Sequence, residues 1–292
     1  MSDRQDFRFP SLTERHPKDK QHIELTLVFN VFFNQTNYSP LLDALRHYSS
    51  YDSYLLDRVQ FVIVDDCSPV AISIDDLGLN LSLYRIETDI PWNQGGARNL
   101  GVTFAKSDKV VVSDIDLLFP EHTLRHLIDR KNPGKHIFKF WRLEETGQRM
   151  RPHANVFFFS RARFLKFFGY DEEFSGGYGA EDYRFVKYQK AQGTVFRKLS
   201  KKYFIENRMS IDRTRSYHSL KRSFERNTPI DNRKRNESIA FGELAGHARI
   251  FLNYQFKLIA DHTRVSYNPK TDVNWKRLWL FRQLKAIFCA SN

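Results

Sequence analysis

The sequence predicts an α/β fold in which a mixed, mainly parallel central sheet is flanked by helices. Three features of the chain support this prediction. Apolar segments of strand length alternate with helical segments through the first 120 residues, a pattern typical of a parallel sheet with crossover helices. Two of the strands end in pairs of aspartates, where open α/β sheets bind ligands. One helix is opened by two glycines.

The remaining elements follow from the spacing of apolar residues. Short runs of β-branched and aromatic residues predict strands, and apolar residues three and four apart predict helices. Strands are predicted over 23–33, 59–64, 81–86, 109–112, 136–141 and 155–159. Helices are predicted over 40–48, 95–106, 161–168, 180–191, 237–262 and 274–288, with a loose arm over 1–22 and a basic loop over 207–236.

Composition restricts the class of protein. The 292 residues include 46 lysines and arginines against 34 acidic residues, and the resulting net charge of +12 favours an anionic partner such as nucleic acid, a membrane surface or a phosphorylated substrate. No run of eighteen apolar residues predicts a transmembrane helix, and the first residues lack a signal-peptide core. Because Cys67 and Cys289 provide no disulfide framework, we expect a cytoplasmic protein.

The motif Asp114-Ile115-Asp116 follows directly after a predicted strand. In an extended chain, side chains two residues apart point to the same side, so these carboxylates would repel each other unless a cation lay between them. Such oxygen ligands suit Mg²⁺ or Mn²⁺, which keep positions open for phosphate oxygens. The motif predicts a metal–diphosphate site, and the alternative is a solvated loop with two acids.

Two further segments of the first half carry polar groups. Asp65 and Asp66 follow the second strand, where they could accept hydrogen bonds from uracil or ribose, or simply belong to a turn rich in Asp, Ser and Pro. In 93–99, glycines open a helix whose free N–H groups attract anions. Arg98, one turn into that helix, could pair with an acid or a phosphate, or could face solvent.

The segment 174–182, Phe-Ser-Gly-Gly-Tyr-Gly-Ala-Glu-Asp, places two carboxylates behind a glycine-rich loop. A helix start would fix Asp182 in a cleft, as a general base requires, and the glycines leave room for a sugar against Tyr178. Acidic residues are also common in the first turn of any helix. His218 lies in a basic segment, where it is either a solvated histidine or a further metal ligand.

The order of these motifs is more specific than any one of them. A strand-end Asp pair, a Gly-Gly-x-Arg-Asn helix start, Asp-x-Asp, Gly-Gly-x-Gly-x-Glu-Asp and a late histidine together resemble the GT-A glycosyltransferases. The chain looks most like glycosyltransferase family 2, with a second half similar to the galactosyltransferase C-terminal module. The resemblance implies a GT-A, Rossmann-like catalytic domain over 23–222, with a donor half over 23–120, an acceptor half over 121–222 and a helical C-terminal extension over 223–292.

The resemblance also implies an activity, namely metal-dependent, inverting transfer of a sugar from a UDP-linked donor to a hydroxyl of a glycan or glycolipid, with Mn²⁺ or Mg²⁺ as cofactor. Asp182 would be the catalytic base, with Glu181 contacting a sugar. The donor would be bound by Asp65, Asp66, Asn93, Gly95, Arg98, Asp114 and Phe32, the metal by Asp114, Asp116 and His218, and the acceptor by Trp141, Gly177 and Tyr178.

Three positions depart from the pattern of such families. Asn30 stands where the first strand often has proline, Cys67 stands where glycine often follows the Asp pair, and Tyr178 stands where many members have tryptophan. These departures leave the predicted fold unchanged and the identity of the sugar open.

Two other functions fit parts of the sequence. A nucleotidyltransferase on the same fold also uses paired acids, but it requires a glycine- and lysine/arginine-rich loop after the first strand, where this chain has Asn-Gln-Thr-Asn at 34–37. A nucleic-acid-binding protein fits the charge and the aromatic content. The basic residues, however, cluster after Arg197 and away from any recognisable nucleic-acid module, so we predict no nucleic-acid partner.

The segment 275–288 predicts a basic helix with an apolar stripe that includes Leu280, Phe281 and Leu284. Such a helix can lie in a membrane interface with its charges at anionic headgroups, which would place the protein peripherally on the cytoplasmic face. It can equally dock on the catalytic domain, because amphipathic helices commonly cover a core. The sequence leaves both arrangements open.

Overall fold

The computed structural model of the chain describes residues 22–33, 37–207 and 221–265. Within these ranges the chain forms an eight-stranded sheet, a four-stranded sheet and seven α-helices, and none of these helices is long and apolar enough to cross a membrane. His218, the helix predicted over 274–288 and residues 1–21 of the predicted arm lie outside the described residues.

The alternation of strands and helices predicted for the first half is confirmed. Its elements are β1 (Leu25–Val31), α1 (Ser39–Ser49), α2 (Ser53–Leu56), β2 (Val59–Asp65), β3 (Asn80–Ile86), α3 (Gln94–Thr103), β4 (Lys109–Asp114), β5 (Leu117–Leu118) and α4 (Glu121–Asp129). The second half contains β6 (His136–Lys139), β7 (Trp141–Leu143), β8 (Arg149–Met150), β9 (Phe157–Ser160), α5 (Arg161–Lys166), α6 (Glu181–Ala191), β10 (Val195–Lys198), β11 (Phe204–Asn207), α7 (Phe224–Phe241) and β12 (Phe256–His262).

The large sheet has the strand order β10-β6-β9-β4-β1-β2-β3-β12. Its pairs are parallel except that β9 is antiparallel to β4 and β6, and β12 is antiparallel to β3. Because β4 and β6 both oppose β9, the carboxyl ends of β1, β2, β4, β6 and β10 lie at one edge. From β1 the chain first adds β2 and β3 on one side and then returns to add β4 on the other side, so the strand order reverses between β1 and β4. Open α/β sheets bind ligands at such a switch point. The predicted mixed, mainly parallel sheet is confirmed.

Helices cover both faces of this sheet, which explains why its central strands are almost wholly apolar. One core joins β1 and β2 to α1, α2 and α4 through residues such as Phe29, Leu45 and Leu124. The other joins the opposite faces of the same strands to α3, α5 and α6 through residues such as Val64 and Leu100. The sheet is therefore rigid where its carboxyl ends present polar side chains.

The elements predicted for 207–262 differ from those observed. The long helix predicted over 237–262 is wrong, because α7 ends at Phe241 and Gly242 takes a φ of 90°, a conformation that only glycine adopts readily. Residues 256–262 instead form β12, which pairs with the edge of β3, a long-range contact that local spacing does not report. The loop predicted over 207–236 is wrong from residue 224 onward, where α7 begins.

The strand predicted over 136–141 divides into two strands. β6 ends at Lys139 and pairs with β9 and β10 in the large sheet, whereas β7 starts at Trp141 and pairs with β8 and β11 in the small sheet. Phe140 lies fully buried between them, because the chain passes from one sheet to the other at this residue.

Helix α7 is fixed to the domain by a buried lysine. Lys234 is 1% exposed, and its Nζ lies 2.7 Å from a carboxylate oxygen of Asp171 and 2.6 Å from one of Glu173. Among the described residues of α7, the only other buried side chain is that of Asn227. An ion pair therefore anchors this helix where most surface helices use an apolar stripe.

The acids that hold α7 also hold the segment that follows it. Asp171 accepts the backbone N–H of Ala248 at 3.2 Å. Glu172, buried beside it, accepts the backbone N–H groups of Leu252 at 2.9 Å and Asn253 at 3.2 Å. Consecutive acids before the glycine-rich loop therefore fasten α7 and the segment that follows it to the rest of the domain.

Replacing Lys234 by methionine should lower the free energy of unfolding by roughly 3–5 kcal/mol, because it leaves Asp171 buried without its cation. Urea unfolding measures this change. Arg235→Met is the matched control, since Arg235 lies exposed on the same helix and its replacement should change stability by no more than about 0.5 kcal/mol. Equal, small effects of the two substitutions would contradict the anchoring role.

Candidate functional site

A fully buried arginine, Arg98, lies at the centre of the site. It extends from α3, and its guanidinium contacts four side chains from four other parts of the chain. Nε donates to Oδ1 of Asn30 (3.2 Å), Nη1 to Oδ1 of Asp182 (2.7 Å) and to the Tyr170 hydroxyl (3.1 Å), and Nη2 to Oδ1 of Asp114 (3.0 Å). Of the alternatives that the sequence left open for Arg98, the structure shows pairing with acids.

The fold explains why these partners meet. Asn30 and Asp114 are register neighbours at the carboxyl ends of β1 and β4, at the switch point of the sheet. Asp182 is the second residue of α6, whose start faces that edge. Asn30, at a position where related families often have proline, therefore contributes a hydrogen bond to the centre of the site.

Burial and charge set the ionisation of this cluster. Burial opposes the charge of Arg98, but Tyr170, Asp182 and Asp114 hold its pKa above the ordinary value. Burial raises the pKa of Asp182 to about 6, and the Arg98 guanidinium opposes this rise. The Asp182 carboxylate, 19% exposed, is therefore ionised at neutral pH yet more basic than an ordinary aspartate.

The strand geometry expected of Asp114 and Asp116 is not observed. β4 ends at Asp114 and residues 115–116 form a turn, so the alternation of an extended chain does not reach Asp116, which is half-buried. Asp114 accepts hydrogen bonds from Arg98 and, at 3.1 Å, from Gln94. The cation that compensates Asp114 in this structure is thus a guanidinium from α3.

A divalent metal nevertheless fits beside Asp114. In residues 22–33, 37–207 and 221–265, no three His, Cys, Asp or Glu side chains cluster as a metal site. The Asp114 side chain is, however, 27% exposed, and the hydrogen bonds that it accepts within this part of the chain all reach Oδ1, which leaves Oδ2 available. Mg²⁺ and similar ions use one or two carboxylates and complete their shell with substrate phosphates, so Asp114 and Asp116 suit such an ion.

The two acids at the end of β2 have different environments. Asp65 is fully buried, with Oδ2 2.5 Å from Nη1 of Arg85 and Oδ1 accepting the N–H of Ser68 at 2.9 Å. Burial raises the pKa of Asp65, although Ser68 and Arg85 oppose the rise. Because both oxygens are engaged within the protein, Asp65 supports the loop that carries Asp66.

Asp66 lies beside the end of β1, where its N–H donates to the carbonyl of Val31 at 2.9 Å. Burial raises the pKa of Asp66 to about 7. The hydrogen bond that Nδ2 of Asn93 donates to Oδ1 of Asp66, at 3.4 Å, opposes this rise. The next residue, Cys67, has a φ of 59°, which explains why glycine suits this position. Phe32 directly follows β1 and is half-buried.

The glycines that open α3 serve contacts within the protein. A Cβ atom on Gly95 would lie 3.3 Å from Cβ of Tyr170, and one on Gly96 would lie 2.9 Å from the ring of Tyr254. The Tyr254 hydroxyl donates to the carbonyl of Gly96 at 2.6 Å. The close approach predicted from these glycines is thus explained by two tyrosines, and a contact of Gly95 with a donor stays a prediction.

Glu181 is engaged in holding the glycine-rich loop. Glu181 is 5% exposed. One of its carboxylate oxygens accepts a hydrogen bond from Nε1 of Trp92 at 2.8 Å, and the other accepts hydrogen bonds from the backbone N–H groups of Gly179 (3.1 Å) and Ala180 (2.9 Å). The Trp92 ring meets that of Tyr178 edge-on, with centroids 4.3 Å apart. These contacts orient the start of α6 and place two aromatic rings next to Glu181, the residue before Asp182. No motif around Trp92 signals this role.

The opposite side of the loop rests on α7. The N–H of Ser223 donates to the carbonyl of Tyr178 at 3.0 Å, and Nδ2 of Asn227 reaches the same carbonyl at 3.3 Å. A Cβ atom on Gly177 would lie 2.9 Å from that of Ser223, so Gly177 is required by this packing. Ser175 closes the other side through a 2.7 Å hydrogen bond to Asn93. The sequence, which predicted a loop at 207–236, gave no sign of this support.

Trp141 lies at the start of β7, just beyond the carboxyl end of β6. Its Nε1 donates to the carbonyl of Leu199 at 2.9 Å, and the ring is half-buried. The ammonium groups of Lys198 and Lys201 lie 5.4 Å and 5.2 Å from its ring centroid. Its predicted role in acceptor binding stays a prediction.

A mixed sheet with acids at its switch point and a further acid at the start of a facing helix defines a GT-A glycosyltransferase domain. The sequence profile of Glycosyl transferase family 2 matches residues 29–183, more than half of the chain. The chain therefore belongs to glycosyltransferase family 2, which favours this class over the nucleotidyltransferase and nucleic-acid-binding alternatives.

Solved structures similar to this chain include those of S. aureus TarS and of a Drosophila galactosyltransferase. Residues 1–349 of S. aureus TarS, in complex with UDP-GlcNAc, superimpose with a TM-score of 0.51 at 14% identity, covering 74% of this chain and 65% of that one, less than two thirds of its length. The catalytic domain of Drosophila β1,4-galactosyltransferase 7, in complex with xylobiose, gives 0.46 at 13% identity, covering 70% and 78%.

A mutant of the same Drosophila enzyme, in complex with manganese, UDP-Gal and xylobiose, gives a TM-score of 0.45 at 12% identity, covering 71% of this chain and 79% of that one. At such identities the likeness to TarS shows the fold alone. No curated protein sequence matches the chain significantly.

Replacing Arg98 by methionine should lower the free energy of unfolding by at least about 2 kcal/mol, because two partly buried carboxylates lose their shared cation. Chemical unfolding measures the loss. Arg46→Met is the control, since Arg46 forms an exposed pair with Asp43 that contributes no more than about 0.5 kcal/mol. A stability equal to that of the control variant would show that the Arg98 contacts do not hold the site together.

Proposed function

We propose that this protein transfers a sugar from a UDP-linked nucleotide sugar to a hydroxyl of a glycan or glycolipid, with inversion at the anomeric carbon and with the help of Mn²⁺ or Mg²⁺. The observation that carries the proposal is the Arg98 cluster. It brings a strand-end carboxylate suited to a metal and diphosphate, Asp114, into one cluster with a helix-start carboxylate suited to act as a base, Asp182.

The donor site in this proposal lies along the carboxyl ends of β1, β2 and β4. Asp66 and Asn93 would receive the nucleoside, with Asp65 fixing their loop and with Phe32 and Gly95 beside them. The choice of UDP is supported by the complexes of TarS with UDP-GlcNAc and of the Drosophila galactosyltransferase with UDP-Gal. Which sugar is transferred stays open.

The metal in this proposal would be held by Asp114 and Asp116, with His218 as a third ligand. Manganese is present in one galactosyltransferase structure with a related fold. When bound, such an ion supplies charge neutralisation to the departing diphosphate. Asp114 remains oriented for this role by Arg98 and Gln94, whose hydrogen bonds both reach Oδ1.

The acceptor hydroxyl would be activated by Asp182. Arg98 holds Oδ1, and within the described residues no hydrogen bond reaches Oδ2, so Oδ2 is the oxygen that would accept the proton. As the hydroxyl oxygen forms its bond to the anomeric carbon, the bond from that carbon to the phosphate oxygen breaks and UDP leaves with the electron pair. Direct displacement inverts the carbon and requires one protein carboxylate as base.

Positioning of the acceptor would fall to the aromatic rings next to Glu181, the residue before Asp182. Trp92 and Tyr178 form an edge-on pair over the start of α6, and Glu181 fixes Trp92 by hydrogen bonding to its Nε1. Sugars pack their apolar faces on such rings. Tyr178, Gly177 and Trp141 are the residues predicted from the sequence to bind the acceptor, and Trp92 joins them in this proposal. Glu181, which was predicted to contact a sugar, would act here by orienting Trp92 and the loop.

Thermal shift against a panel of nucleotide sugars tests the donor and the metal together. A UDP-sugar should raise the melting temperature in Mn²⁺ and much less in EDTA, because ligand binding stabilises the folded state by mass action. Asp116→Ala and His218→Ala should lose the metal-dependent part and keep the response to uridine alone, whereas the exposed control Asp75→Ala should behave as wild type. A full response in EDTA would refute the metal site, and a response to no nucleotide sugar would refute the function.

Asp182→Asn should reduce turnover of the donor identified in this way by at least about 10²-fold, the usual scale for a lost general base, while donor affinity stays near wild type. Release of UDP measures turnover and calorimetry measures binding. Asp43→Asn, an exposed aspartate on α1, controls for the substitution itself. Normal turnover in Asp182→Asn would place the base elsewhere, with Glu181 next in line.

A further inference from the structure

A polar cavity lies at the β10 edge of the large sheet, and none of its lining residues belongs to the Arg98 cluster. It has a volume of about 540 Å³ and is formed by the turn between α4 and β6 together with the edge strand. Its lining is strongly basic and includes Arg130, Lys131, His136, Phe138, Arg197 and Lys198. Nothing in the proposed transfer reaction uses these cations.

The cations of this cavity are held open toward solvent. Lys131, Arg197 and Lys198 are exposed, and within the described residues none of them pairs with a carboxylate. Arg130 lies over the Phe138 ring, with Cζ 4.4 Å from the ring centroid. A guanidinium fixed on an aromatic face is pre-organised to bind an anion, since little side-chain freedom is lost on binding.

The lining of this cavity holds cations and no acid. Of the described residues that form it, Arg130, Lys131, Arg197 and Lys198 are cations, and none is an aspartate or glutamate. Asp108 lies beside the turn, where it accepts hydrogen bonds from the Ser160 hydroxyl at 2.9 Å and from Asn132. The four cations exceed this one carboxylate, so the cavity has a net positive charge.

Basic side chains continue from this cavity along β10 toward the reactive edge. Lys198 lines the cavity, and its ammonium also lies 5.4 Å from the ring centroid of Trp141, where that of Lys201 follows at 5.2 Å. β10 runs parallel to β6, so its carboxyl end lies at the same edge of the sheet as Asp114. We name Arg130, Lys131, Arg197, Lys198 and Lys201 the basic track.

The track ends at the edge of the sheet that carries the proposed site. Lys198, at the end of β10, is the register partner of Lys139, the last residue of β6, and Asp182 lies at the start of α6, which faces the same edge. A chain-like ligand lying on the track would therefore run toward the Asp182 region at one end. A row of cations beside one tryptophan suits a polymer in which sugars carry anionic groups, because the ring packs on a sugar while the cations bind the charges.

We infer that the basic track binds an anionic glycan, a sugar chain bearing phosphate, sulfate or carboxylate groups, and presents its end to Asp182 as the acceptor. The inference rests on the proposed glycosyl transfer and names the class of its acceptor. It explains an excess of positive charge that a nucleotide-sugar site alone does not require.

The test compares two triple variants that each remove three exposed cations. One is Lys131→Gln/Arg197→Gln/Lys198→Gln on the track, and the control is Lys187→Gln/Arg235→Gln/Arg249→Gln on α6, α7 and the segment after α7. The probe is a sulfated dextran, with neutral dextran of the same length as reference, and calorimetry is run at low salt and again at about 0.15 M, where exposed charges are screened within about 8 Å.

The track variant should bind sulfated dextran at least about tenfold more weakly than wild type does, and the affinity of the control variant should stay within about twofold of wild type. All three proteins should bind neutral dextran much more weakly than wild type binds sulfated dextran. Equal losses in the two variants would overturn the inference, because diffuse charge would then explain binding. If pyrophosphate binds as tightly as the polymer, the basic track is only a small anion pocket and the inference is wrong. If an oligothymidylate binds more tightly than sulfated dextran and loses affinity in the track variant, the track binds nucleic acid instead. The thermal shift caused by the donor should be equal in wild type and in both triple variants. If no protein shows a donor-induced shift, the proposed transfer is refuted, but the comparison of sulfated dextran binding still tests the basic track.

Discussion

The buried guanidinium of Arg98 is the interaction on which the rest of the site depends. A cation without solvent requires compensating charge, and the fold supplies it from Asp114 and Asp182, two acids that would otherwise repel each other across the switch point. The same contacts fix one oxygen of each carboxylate and leave the other available. Stability and chemistry are therefore linked, since the pairing that permits Arg98 to be buried also orients the proposed metal ligand and the proposed base.

A second ionic cluster holds the other side of the site. Lys234 is buried between Asp171 and Glu173, and Glu172 binds the backbone after α7. Through this cluster, α7 packs against the glycine-rich loop that precedes Asp182. Residues 224–262 are thus a structural part of the domain that carries the site, and β12 extends the large sheet at its far edge.

The sequence predicted what local patterns determine. Strands and helices of the first half were predictable because buried parallel strands are continuous apolar runs, and the order of the acidic and glycine motifs indicated the family. Contacts between distant residues were not predictable in this way. Arg98 meets Asn30 and Tyr170 across 68 and 72 residues of sequence, and no local signal around Trp92 indicates its bond to Glu181. The wrong elements, at 207–262, lie where edge pairing and ion pairs decide the structure.

The pH dependence of kcat for UDP release, measured with saturating donor, tests the central role of Asp182 most directly. Burial raises the pKa of Asp182 to about 6, so the base is ionised above that pH and protonated below it. We expect a single rising limb, with activity lost as pH falls through about 6, and we expect this limb to be absent from the residual activity of Asp182→Asn. A rate that does not change between pH 5 and 8, or an identical limb in the variant, would contradict it.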